Sequence, residues 1–206
     1  MFNFGKFRKK RDSREFWAWL SANASRISAA GPEGAAHAAA ELSRVFKSSY
    51  PDLVWEVTPN DSGPWTFCVS ADGNPGLFDA VKSAVSDAPS IPGWEIRAFR
   101  QRGSLDAVIE MHGRKLSYDD IWCEVERDGD RARVKLLVRG LTLESAKDLL
   151  GAALVLLDNA IGEYDSVVKI SELDNGPLPS APVRSDKCFP LSELPGYLDS
   201  LEATAT

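Results

Sequence analysis

The chain has 206 residues, 44% hydrophobic and 26% charged, enough to bury a sizeable core without a metal or disulfide staple. Its formal charge of −6 is uneven: Lys6, Arg8, Lys9, Lys10, Arg11 and Arg14 against Asp12 leave +5 on residues 1–14 and −11 on the rest. So acidic a body argues against general nucleic-acid binding, which needs a basic surface for phosphates.

No stretch approaches the ~20 apolar residues of a membrane span. The basic start is not followed by the apolar core and cleavage site of a secretory signal. Cys68, Cys123 and Cys188 are far apart and form no CxxC pair, so they read as thiols in a reducing cytosol rather than as a disulfide framework.

The opening MFNFGKFRKKR interleaves Phe2, Phe4 and Phe7 with cations. It reads as a basic flexible tail over residues 1–14, and residues 1–11 could touch a membrane surface or an anionic partner weakly. Ser13 is a suitable cap for a first helix running to Ile27, with Phe16, Trp19, Leu20 and Ile27 on its apolar stripe. Pro32 opens a second, Ala-rich helix from Glu33 to Lys47 that carries Leu42, Val45 and Phe46. Together they form a helical hairpin over 15–48.

From residue 52 the pattern turns to strands. Leu53–Val57 and Trp65–Ala71 flank the turn-rich TPNDSGP, Leu77–Ala88 reads as a helix, and Trp94–Gln101 as the next strand. Leu105–His112 alternates and ends at Gly113-Arg114. IWCEVER and DRARVKLLVR flank Asp128-Gly129, a pair suited to a type I′ hairpin turn. That register sets Val125 by Ala132, Cys123 by Val134 and Ile121 by Leu136, with Glu126 by Arg131 and Glu124 by Arg133 on the outer face. A long helix follows from Leu143 to Ile161, capped by Thr142, burying Leu149, Leu150, Ala153, Leu154, Leu157 and Ile161, and stopped by Gly162. Ser166–Glu172 is the next strand, and a Pro-rich loop leads to a last helix at Leu191–Leu201.

Residues 53–101 and 121–172 thus both read strand, strand, helix, strand. The expected fold is α+β: a mostly antiparallel sheet from two such units (52–112 and 120–173), helices packed on it, the N-terminal helical hairpin, and a terminal segment at 174–206. One domain is expected over 15–206.

The chain has no P-loop, dinucleotide fingerprint, zinc-ligand spacing or nucleophile elbow. Asp72 and Asn74 flank a glycine before a helix, where amides or carboxylate could hold an ion; the same residues compose an ordinary turn and cap. Arg97, Arg100 and Gln101 near a strand end could take a carboxylate or phosphate, or could pair with acids on the same sheet. Asp119 and Asp120, with Glu110 and His112 nearby, could serve acid/base chemistry, but neighbours on a strand point to opposite faces. Glu163 and Tyr164 follow the long helix at a place suited to a cleft or to a simple cap. His37 lies in the Ala-rich helix, 75 residues from His112.

The segments FWAWL, VSADGN, AP followed by GWEIRAFRQR, and GEY resemble a family of uncharacterised bacterial soluble proteins of about this length, from Phe16 to about Leu173. The resemblance implies a bacterial cytosolic protein and supplies no activity, cofactor or catalytic residue. The leading expectation is a non-enzymatic protein that binds a protein or peptide partner, because Trp, Phe and Arg favour interfaces. Trp94, Arg97, Arg100 and Gln101, with Trp122 on the outer hairpin face opposite Lys135, are the expected contacts. The alternative is a small-molecule-binding protein or hydrolase using Asp72, Asn74, Arg100 and Glu163 around a polar cleft at the strand ends. No cofactor, metal or nucleic acid is expected.

Overall fold

A computed structural model describes residues 13–60 and 62–203. The contact expected of residues 1–11 lies outside them. Against the expected single domain over 15–206, the chain divides into two compact units, one ending at Ala98 and the other beginning at Phe99. The expected first sheet unit, 52–112, therefore runs past this boundary.

In the first unit, α1 (Ser13–Ser28) and α2 (Gly31–Ser49) form the expected helical hairpin. The buried stripe of α1 is Phe16, Trp17, Leu20, Ala24 and Ile27; Trp17 takes the inward place expected for Trp19. Its Nε1 donates to Ala84 O at 3.1 Å, so the indole is both packed and satisfied. Strands β1 (Val54–Thr58), β2 (Trp65–Ser70) and β3 (Trp94–Ala98) form a sheet in that order. β1 and β2 pair antiparallel; β3 lies parallel to β2 after the crossover helix α3 (Phe78–Ser86). Phe16 sits among the rings of Trp17, Phe46, Phe67 and Tyr50, at centroid distances of 4.8, 5.1, 5.6 and 5.9 Å.

The second unit opens with a hairpin where the sequence suggested one strand: β4 (Val108–Met111) and β5 (Arg114–Ser117). His112 and Gly113 both adopt positive φ, 51° and 77°, as a type I′ turn requires. Next come β6 (Ile121–Asp128) and β7 (Arg131–Val138), an antiparallel pair, then α4 (Ala146–Ile161) and a short helix α5 (Glu163–Val168). Strand β8 (Ile170–Pro177) runs parallel to β7. Strand β9 (Cys188–Pro190) pairs antiparallel with the other side of β6, completing the order β8-β7-β6-β9, and α6 (Leu194–Ala203) follows.

Both units therefore share one topology: an antiparallel pair, a helical crossover, and a third strand parallel to the second. The α+β class with two strand-strand-helix-strand units holds, with three sheets among the described residues rather than one.

Four local expectations shift. The β6–β7 turn is Gly129-Asp130, so Val125 faces Val134, Cys123 faces Leu136, Ile121 faces Val138, Glu126 faces Arg133 and Glu124 faces Lys135. Only Gly129 of the two turn residues has positive φ (67°), the pattern of a type II′ turn with glycine first. Each pair moves by two, so the faces survive. On α4, Leu156 and Ala152 are buried while Leu154 is exposed. Residues 166–168 belong to α5, because the turn after Gly162 restarts a helix before the strand begins. The expected proline-rich loop instead supplies β8's last residues, and β9 forms between it and the last helix.

The second core joins Ile121, Cys123 and Val125 with Ala132, Val134, Leu136 and Val138 under Leu149, Ala153, Leu156 and Leu157 of α4 and Leu194, Leu198 and Leu201 of α6. Gly129→Ala forces a side chain into left-handed backbone. It is expected to cost about 1 kcal/mol in urea unfolding, with Asp130→Ala nearly neutral. A reversed ranking would refute the type II′ assignment.

Candidate functional site

In the first unit an open apolar slot of about 550 Å³ lies between α2 and the β1–β2 hairpin. One wall is Gly31, Ala35, Ala38, Ala39 and Leu42 of α2, with Ile27 and Ser28 of α1 at its end. The other is Trp55, Val57 and Pro59 at and beyond β1, with Trp65 opening β2. Spacing of two puts Trp55, Val57 and Pro59 on one face. The Trp55 indole stacks on Phe67, ring centroids 6.2 Å apart and planes within 11°. Ser28 and the indole N–H groups are the polar side-chain groups of the lining. Lys47 at the other end of α2 donates Nζ to Leu53 O at 2.7 Å, holding that helix to the chain entering β1.

Sequence reasoning missed this slot. Its signal was present in two patterns that were not combined: the alternation Trp55, Val57, Pro59, and the run of small residues over three turns of α2.

The residues nominated from sequence fall elsewhere. Ala71 to Asn74 form a tight turn, with Asn74 N donating to Ala71 O at 3.1 Å and Asp72 and Gly73 both at positive φ. Asn74 Oδ1 accepts from Gly76 N at 3.0 Å, the cap of a short 3-10 turn at Pro75–Leu77. The turn-and-cap alternative accounts for both residues. Trp94 is only 8% exposed and packs on Trp65, its neighbour across the β2–β3 ladder, at 5.5 Å, so it is core and not a contact surface. Arg97 pairs with Glu95 of its own strand at 2.8 Å. Gln101 Nε2 donates to Phe99 O at 3.0 Å. Trp122, half-buried, stands opposite Leu137 and Pro190 rather than Lys135, a consequence of the two-residue register shift.

Arg100 and Glu163 do meet, in the second unit, but as a backbone clasp. The Glu163 carboxylate, completely buried, accepts from Arg100 N at 3.1 Å while Glu163 N donates to Arg100 O at 2.9 Å. The Arg100 guanidinium approaches Asp158 at 3.6 Å. Beside them Phe99, at φ 65°, packs on Tyr164 at 5.2 Å. Gly103 N donates to Asn159 O at 2.7 Å, and Asn159 Nδ2 reaches Ser104 O and the Tyr118 hydroxyl.

Arg102 then grips Asp199 with both terminal nitrogens (2.8 and 2.6 Å) and Asp165 at 2.7 Å, and Lys169 reaches both carboxylates at 3.2 Å. Hydrogen bonds from Arg102, opposed by burial and aided by Lys169, lower the Asp199 carboxyl to about 2. The group ties chain segments together.

Other candidates also have partners within the fold. Asp120 accepts from Ser117 N and Oγ (3.1 and 2.7 Å) and from Arg139 (3.0 Å). Burial opposes ionisation there, but these donors hold its carboxyl below the ordinary range. His112 pairs with Asp148 at 2.9 Å, Glu110 with Lys115 at 3.5 Å, and His37 with Glu41 at 3.8 Å. On the outer face of the second sheet Arg133 answers Glu126 and Glu172, and Lys135 answers Glu124. Among the described residues no group of three or more His, Cys, Asp or Glu is placed to hold a metal. Nor is any described helix long and apolar enough to cross a membrane.

Glu163→Ala removes the acceptor of Arg100 N and leaves a hole, and is expected to lower stability by about 2 kcal/mol in chemical denaturation; an unchanged midpoint would dismiss the clasp. Asp199 is bound more tightly to its cations as a carboxylate, so its contribution is present above the unfolded carboxyl value and disappears as pH falls toward about 2. Asp199→Asn should therefore flatten the acid limb of the stability curve between pH 4 and 2; an equally steep limb would refute the coupling. No family model, curated protein or solved structure matches this chain.

Proposed function

We propose that this protein is a non-enzymatic binding module that captures a protein or peptide partner, with the apolar slot of the first unit as its recognition surface. The observation that carries the reading is the slot itself: a cavity of about 550 Å³ whose walls are mostly apolar, with Trp55 and Trp65 on the sheet side. Tryptophans in a concave apolar setting are the residues on which binding energy concentrates. Of the polar residues nominated for a hydrolase, Asp72 and Asn74 shape a turn, and Arg100 and Glu163 close a clasp.

A bacterial cytosolic setting is part of the same proposal. Its support is the resemblance in the FWAWL and AFRQR segments together with three free thiols, Cys68 and Cys123 buried among apolar side chains.

Selection of displayed peptides on the immobilised protein tests the reading. Ala39 is an exposed helix position on the slot wall, so Ala39→Glu places a charge in the slot while leaving the fold intact. Selected peptides are expected to share an apolar pattern and to bind the variant about tenfold or more weakly. Equal binding to both proteins would refute the slot as the recognition surface.

A further inference from the structure

Resting on that reading, we infer that the slot has a ligand within its own chain. Phe2, Phe4 and Phe7 of the N-terminal segment enter it, and a partner gains the slot by displacing them.

Residues 1–12 lie outside the described ones, and their sequence falls into two parts. Met1 to Phe7 carries the three phenylalanines, while residues 8–12, RKKRD, are charged throughout. Phenyl rings gain by leaving water, whereas Lys, Arg and Asp stay in it. The segment is therefore an apolar head on a charged spacer, and the spacer is the part next to the fold.

The place of attachment suits the slot. The segment joins the described chain at Ser13, the first residue of α1. One turn on, Phe16 meets Phe46 near the C-terminal end of α2, and one turn back along α2 stands Leu42, a wall of the slot. Helix rise and helix spacing put Leu42 about 14 Å from Ser13. Ile27, at the slot's other end, is about 21 Å from Ser13 along α1.

The length of chain matches these distances. At about 3.3–3.6 Å per extended residue, Phe7 can stand about 20 Å from Ser13, Phe4 about 30 Å and Phe2 about 36 Å. The spacer alone thus brings Phe7 to the near end, and Phe4 and Phe2 have reach left over for the far one.

The slot also suits the head. Its volume of about 550 Å³ is that of a ligand cavity, with small side chains on α2 facing Trp55 and Trp65. Phenyl rings pack on such indoles edge-on or offset. Tethering presents the head at an effective concentration on the order of millimolar. Ordering the segment costs conformational entropy that only three rings offset, which leaves the closed form weak enough for a partner to open.

The experiment compares the full chain with a full-length variant carrying Phe2→Ser, Phe4→Ser and Phe7→Ser. It reads the NMR signals of the Ala35, Ala38 and Ala39 methyls and of the Trp55 and Trp65 indoles. The probe is a synthetic peptide of residues 1–12. The triple substitution is expected to move the slot signals at every protein concentration. The probe should bind the variant at least about tenfold more tightly than the unsubstituted chain. Adding Ala39→Glu to the variant should weaken the probe about tenfold.

Unmoved slot signals, with equal probe binding to both chains, would overturn occupancy by the segment; the slot reading survives if selected peptides still depend on Ala39. Probe binding indifferent to Ala39→Glu would place the segment elsewhere and overturn the proposal. Slot signals of the unsubstituted chain that approach those of the variant on dilution would put the segment in the slot of a second copy, overturning occupancy within one chain. Binding to phosphatidylserine vesicles that the triple substitution abolishes, with slot signals unmoved, would assign the segment to a lipid surface instead. Selected peptides that ignore Ala39→Glu would remove the slot itself, and this proposal with it.

Discussion

The first unit is organised by a mismatch of side-chain volume along α2. Near its C-terminal end, Phe46 meets Phe16 and Phe67, rings that cannot approach closer than their own thickness, and this contact sets the distance between helix and sheet. Three turns earlier the same helix carries Gly31, Ala35, Ala38 and Ala39, side chains too short to span that distance. Protein interiors are normally filled; here the large residues hold open what the small ones leave empty. The slot is the difference between the two ends of one helix.

The second unit solves a different problem. Its α4 carries leucines and alanines that fit the inner face of β6 and β7, so the core is full, and the polar residues are spent on holding the entering chain. Glu163 is buried because the backbone of Arg100 is there to meet it, and Arg102 reaches outward to carboxylates on two helices. Surface ion pairs taken singly contribute little. This group differs in that two cations and two carboxylates share partners, and one of the cations, Lys169, is itself buried.

The helical hairpin, the order strand-strand-helix-strand in both halves, and the face assignment of β6 and β7 were legible because each rests on periodicity, which survives small errors of register. Turn placement was less legible. Asp128-Gly129 and Gly129-Asp130 are both acceptable hairpin pairs, and the register, with Asp128 opposite Arg131, decides between them. The β4–β5 hairpin was hidden by His112, a residue seldom read as adopting left-handed backbone. Trp94, Arg97, Arg100 and Glu163 looked like contact or catalytic residues because sequence shows a polar or aromatic side chain without its neighbour. The slot was illegible for the converse reason: emptiness is a property of two elements brought together, and neither one shows it alone.

The clasp also orders events in time. Every strand of the first unit has been made once Ala98 is complete, while the rest is still being synthesised. Arg102 comes next in the chain, yet Asp199 lies 97 residues further on. The second unit's ion-pair group closes only after the segment carrying Asp199 has been made, long after the strands of the first unit.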